Sequence, residues 1–181
     1  MEEAASTARK MKEIGMEKYI TKAQQMGAKN AVPFVIADIV FDPRVLLKCL
    51  FGCADFGKLH TCPYQRSPLS MEENRQIFQR YARGLIIGCD NKTDSQNISY
   101  EIERECYLDD YYLAISLSDC GLCNTCAKGK EAPCHFPVKA RPAMQSVGID
   151  VFKTVRTLGL PIEVLREKDA PQNWYSAVFV D

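Results

Sequence analysis

Cys120-Gly121-Leu122-Cys123-Asn124-Thr125-Cys126, followed by Cys134-His135-Phe136-Pro137, restricts this chain more than any other stretch. Three thiols at two-residue intervals on a short turn converge on one point and cannot all be core residues. A soft metal centre stabilises such a convergence. Iron–sulfur clusters are held by Cys-x-x-Cys-x-x-Cys with a fourth Cys further on, often beside a proline. Here the fourth Cys follows a loop containing Lys, Gly and Pro, and Pro137 stands three residues after it. Zinc is the rival: its pattern is two separated Cys pairs closing a tetrahedron. An overlapping triplet suits a cube of iron and sulfide better than one small ion. A disulfide framework is the third reading, disfavoured in a chain without a secretory signal.

The opening MEEAASTARKMKEIG has acidic residues and no apolar signal core, so the expected address is the cytoplasm. No apolar run approaches the ~20 residues of a membrane span. Nine Cys in such a setting are reduced thiols, available to metals. Lys+Arg 23 against Asp+Glu 23 leaves no net charge, so nothing in the composition calls for nucleic acid or an anionic membrane. A chain of 181 residues is expected to form one domain, residues 1–181, able to bury a core without metal staples.

Apolar spacing predicts a helix from about Ala5 to Gly27, with Met16, Tyr19, Ala23 and Met26 on one face. Strands are predicted at Ala31–Phe41, Arg83–Cys89, Pro161–Leu165 and Trp174–Val180. A second helix runs to Tyr81, opened by a capping box of Ser70 with Glu73. A polar loop at Asp90–Asn97 leads into a helix over Tyr100–Leu117, and further helical segments are expected at Lys139–Met144 and Asp150–Leu158. Strands alternating with helices predict an α/β (or α+β) fold: a small, mainly parallel or mixed sheet of three to four strands covered by helices. The cysteine loops are expected together at one end of it.

Earlier in the chain a first cysteine group, Cys49, Cys53 and Cys62, lies in a segment whose Gly52, Gly57 and Cys62-Pro63 suggest an irregular loop. Loops of special residues are where binding chemistry usually sits, although three buried small hydrophobes would read the same way. Cys89 and Cys106 are expected to be packed thiols rather than ligands. His60 is close to Cys62, and His135 follows Cys134; each could reach a metal or be bonded locally. Lys128, Lys130, Lys139, Arg141, Lys153 and Arg156 gather around the second motif, either as a solvated run or as a basic rim steering an acidic redox partner.

Taken together, Cys49-x-x-x-Cys53, Cys62-Pro63, Cys120-x-x-Cys123-x-x-Cys126, Cys134, Pro137-x-x-x-Arg141-Pro142-x-Met144 and Gly148-Ile149-Asp150-Val151-Phe152 resemble the prokaryotic cysteine-rich proteins described as predicted metal-binding. The resemblance runs from the first strand to the last. It implies a cytosolic bacterial or archaeal metal protein, plausible in an anaerobic metabolism, and it implies no substrate. Tyr64 stands where a second proline after Cys62-Pro63 is expected.

Three functional readings follow. Cys120, Cys123, Cys126 and Cys134 can hold a 4Fe–4S cluster with a thiolate on every iron, which then only accepts and donates electrons to a redox protein or small carrier. Cys49, Cys53 and Cys62 give three ligands, leaving a metal position open as an enzyme needs, so a second centre is possible there. The alternative is a structural zinc adaptor or subunit without redox activity.

Overall fold

The computed structural model describes residues 15–66, 69–128, 132–167 and 169–181. Two of the predicted strands are present as read: β2 (Arg83–Cys89) and β4 (Trp174–Val180). They pair antiparallel along their whole length, from Arg83 with Val180 to Cys89 with Trp174. β1 (Asn30–Val35) flanks β2, and β3 (Ile115–Leu117) flanks β4, giving a four-stranded sheet in the order β1-β2-β4-β3. Every pair is antiparallel. The α/β class and the strand number agree with the sequence reading; the mainly parallel or mixed sheet expected from alternation does not hold.

Both sheet faces are covered, which is why β2 and β4 read as unbroken apolar runs. Leu85, Ile87, Cys89, Val178 and Val180 pack under α1 (Glu17–Gln25) and α5 (Lys92–Leu108), which contribute Tyr19, Ala23, Ile98, Ile102 and Cys106. The alternate residues Ile86, Tyr175, Ala177 and Phe179 face Phe78 of α4 (Met71–Phe78), Met144 and Val147 of a 3-10 turn, and Val155 of α6 (Val151–Thr157). Gly84 is required where the layers meet: a Cβ there would lie 2.1 Å from the Val178 carbonyl oxygen and 2.3 Å from the Phe34 ring.

Several boundaries differ from the sequence reading. The first helix is seen over Glu17–Gln25; its expected start lies outside the described residues. β1 stops at Val35 because the Asp38 carboxylate accepts from Val35 N at 2.9 Å and closes a 3-10 turn. The stretch expected to be a polar loop before Tyr100 is the first half of α5, capped by Asn91, whose side chain accepts from Asp94 N at 2.9 Å. That helix ends at Leu108, where Asp110 takes a left-handed φ of 70°, so Ile115–Leu117 is a strand and not a helix end. Lys139–Met144 forms no α-helix, Met144 only opening the 3-10 turn; Pro142 lacks the N–H a helix interior uses and disfavours helical geometry in Arg141. Pro161–Leu165 forms no strand. The Ser70–Glu73 capping box is present in full.

This topology positions the site. β2 and β3 both run antiparallel to β4, so their C-terminal ends emerge on the same sheet edge. One leads into the N-terminus of α5 and the other into Cys120. Among the described residues no helix is long and apolar enough to cross a membrane.

Candidate metal centre

The Cys120 loop is fastened to the first turns of α5. Gly121 N donates to Gln96 Oε1 at 2.7 Å, and Thr93 Oγ1 donates to the Gly121 carbonyl at 2.9 Å. Contact is so close that a Cβ on Gly121 would lie 2.8 Å from Lys92 Cγ and 3.0 Å from Thr93 N. Gln96 is fully buried, and its Nε2 reaches the Lys139 carbonyl at 3.3 Å, so one side chain holds both ends of the cysteine loop. On the upstream side, Ser118 N donates to the Pro142 carbonyl at 2.9 Å.

Cys120, Cys123, Cys126 and Cys134 all line one cavity of about 250 Å³, shared with Asp55, His60, Lys92 and Lys128. Burial pushes the Cys123 thiol up, and Cys126, Cys120 and Cys134 add to the rise. Cys126 is raised in the same way by burial, Cys120 and Cys134, and lowered by Lys128. The four thiols are thus electrostatic neighbours. His135 Nδ1 lies 3.9 Å from Cys123 Sγ. His60 Nε2 is buried at the cavity without a hydrogen-bond partner.

The first cysteine group is not an irregular loop throughout. Cys49 sits in the last turn of α2 (Val45–Gly52), Cys53 caps that helix, and Cys62 directly precedes the short α3 (Pro63–Arg66). A turn between them brings Gly57 N to 3.3 Å from Cys62 Sγ. Burial raises the Cys49 thiol, helped by Cys53 and Cys62, so these three also form one neighbourhood. The two groups adjoin. Lys128 Nζ donates to Asp55 Oδ1 at 2.7 Å, and both Cys126 and Cys53 lie within electrostatic reach of that ammonium. Among the described residues, no three or more His, Cys, Asp or Glu side chains are closed around a single-ion position.

Cys89 of β2 and Cys106 of α5 are 2% and 0% exposed, inside the core between the sheet and the helices α1 and α5. The expected basic rim reduces mainly to Lys128. Arg141 instead forms a bidentate pair with Glu103, its Nε 2.8 Å from Oε2. Lys139 lies over the Tyr100 ring, Lys153 pairs with Asp42 and Asp150, and Arg156 bonds the Ile162 carbonyl. Lys130 lies outside the described residues. Sequence reasoning missed Gln96, Lys92 and Asp55; the Asn91-x-x-Asp94 cap was the available signal that α5 begins early enough to present the first two.

The donor set and the room are those of a site able to hold a thiolate-bound metal. Four thiols share one cavity, His60 lines it with its buried Nε2 unpartnered, and about 250 Å³ is several times the ~30 Å³ share of one water. The N-terminal end of α5 carries a partial positive charge that favours anionic sulfur beside it. A family model described as predicted metal-binding protein (DUF2284) matches residues 33–180. No curated protein and no solved structure matches the chain.

Proposed function

Because this chain belongs to the family described as predicted metal-binding protein (DUF2284), we propose that it is a cytoplasmic iron–sulfur protein. In this reading Cys120, Cys123, Cys126 and Cys134 hold a 4Fe–4S cluster, and the protein exchanges electrons with a redox protein or small carrier. The observation that supports it most is the convergence of all four thiols on one cavity. When bound, such a cluster supplies one-electron transfer, and four thiolates leave no iron open to substrate.

The residues around it have separable tasks. Gln96 and Thr93 fix the loop, holding the first thiol in place before any metal arrives. Asp55 and Lys128 close one side of the cavity and put a cation beside the sulfurs. His60 lines the cavity, and its buried Nε2 has no hydrogen-bond partner, so a turn of the ring would let it donate to sulfur or ligate. Cys49, Cys53 and Cys62 would hold a second centre with an open position, to which Gly57 offers an N–H for sulfur.

Anaerobic purification followed by iron, sulfide and zinc analysis tests this. The expected result is brown protein with broad absorbance near ~400 nm, as thiolate-ligated clusters give, and matching iron and sulfide. Colourless, zinc-loaded protein would overturn the reading and leave a structural zinc adaptor.

A further inference from the structure

A second cavity is larger than the cysteine site. It is a cleft of about 1080 Å³ between α2, α6 and the irregular chain around Ile162–Leu165 and Pro171–Asn173. That volume is at the upper end of the ~300–1,000 Å³ of small-molecule sites, and like them the wall is mostly apolar with a few polar groups. Ile149, Val151, Phe152, Val164, Leu165 and Trp174 supply the apolar surface.

Its position ties it to the metal chemistry. Asp119 and Lys48 both stand in the wall, and they are the residues immediately before Cys120 and Cys49. The charges select what the cleft can bind. The wall carries Asp42, Asp119, Asp150 and Glu163 against Arg44 and Lys48. Asp42 is already neutralised by Arg44 and Lys153, and Asp150 by Lys153. Asp119 receives one hydrogen bond, from Gln145 Nε2 to Oδ1 at 2.8 Å, and no basic side chain bonds it among the described residues. This leaves Oδ2 as an acceptor in a carboxylate-rich, aromatic-lined wall, where an anion is disfavoured and a cation gains from the indole face.

We propose that this cleft binds a small aromatic amine, its ring against Trp174 and its ammonium on Asp119 Oδ2. The inference goes beyond the metal reading and holds whichever metal the cysteines carry.

Trp174 is the only tryptophan in the chain, so its emission reports on the cleft directly. The experiment titrates metal-loaded protein with benzylamine and, separately, benzoate, which share a ring and differ in charge. Benzylamine should change the emission saturably and bind about tenfold or more tighter than benzoate, the scale of one charge-assisted hydrogen bond. Asp119→Asn should weaken benzylamine about tenfold on the same basis. Because Asp119 neighbours Cys120, Val164→Lys provides a second variant; this exposed position lies in the wall but outside both motifs, and it should weaken benzylamine as well. Metal is measured in every sample. Metal-replete protein with no saturable response, equal affinity for benzoate, or undiminished benzylamine binding in both variants would overturn the proposal and leave the metal reading intact. Saturable benzylamine binding by protein containing zinc would support the cleft and overturn only the iron reading.

Discussion

The cysteines divide between two regions that treat the same side chain in opposite ways. Between the sheet and the helices α1 and α5, Cys89 and Cys106 are solitary and buried, and desolvation pushes their thiols up to about 11 and about 12. Burial of this kind makes a thiol a small hydrophobe. Beyond the sheet edge, the other seven are at least partly exposed and gathered in two neighbouring sets. In the set that begins at Cys120 the backbone is held by side chains from elsewhere, Gln96 above all, rather than by a ladder of its own. Sulfur gathered beside other sulfur outside the core is what a member of a predicted metal-binding family would present.

The largest effect should come from moving between the two regions. Cys123→Ala or Cys126→Ala should lose the metal of the second group and order in its loop, because ligation and folding are linked. Cys89→Ala and Cys106→Ser should retain full metal and cost on the order of 1–2 kcal/mol in packing. Metal analysis with urea melts separates the outcomes, and equal metal loss in the core variants would abolish the distinction. Alkylation of metal-stripped protein at pH 8 sharpens it: a thiol with its pKa near 11 is only ~0.1% thiolate there, so Cys89 and Cys106 should be the last to react.

Within the exposed region, the two sets should behave as two centres. Replacing Cys62 should leave roughly half the iron, with the second-group cluster still reducible, since each set carries its own ligands. Complete loss of iron from the Cys62 variant would mean that Asp55 and Lys128 join the groups into one shared site.

Arg141 tests where the boundary between the regions runs. Its sequence neighbours suggested a basic rim, yet its side chain and that of Glu103 are 17% and 12% exposed, and Glu103 also accepts from Ser116 N at 2.7 Å in β3. Arg141→Ala should therefore cost about 3 kcal/mol in stability, the usual result of leaving a buried charge without its partner, while metal per folded chain stays constant. Gln96→Leu should cost about 2 kcal/mol by leaving Gly121 N–H and the Lys139 carbonyl without partners, and it should also loosen metal binding. A chelator competition that finds Gln96→Leu unchanged would show that the loop is held by metal alone.

What the sequence disclosed follows the same division. The core strands were legible because burial on both faces leaves an uninterrupted apolar run, and Ser70–Glu73 because a capping box is local. Strand direction was not, because it depends on pairing between Arg83 and Val180, far apart in the chain. The cysteine groupings were readable from spacing, since thiols a few residues apart on short turns end close together in space. Gln96 and Asp55 were not, because each meets the loop through contacts that only the assembled fold creates. The cleft was illegible for a like reason: the stretch expected as a strand at Pro161–Leu165 became one of its walls.

The smallest effect concerns the one cation whose bonded partner lies between the two cysteine sets. A cluster with four thiolates is negatively charged in both redox states, and a nearby cation favours the more reduced form. Lys128 faces the cavity and feels Cys126 and Cys53, whereas Lys139 is turned onto the Tyr100 ring. Lys128→Met keeps the aliphatic stem and removes the charge, so it should lower the midpoint potential by on the order of tens of millivolts at low salt, less as added salt screens the exposed site. Reduction by an acidic carrier should slow in the same variant, and that difference should fade as ionic strength rises. Lys139→Met should change neither quantity as much. If both variants shift the potential equally, the sulfurs respond to the overall charge of the protein, and the Lys128–Asp55 bridge has no special part in setting the exposed cysteines apart.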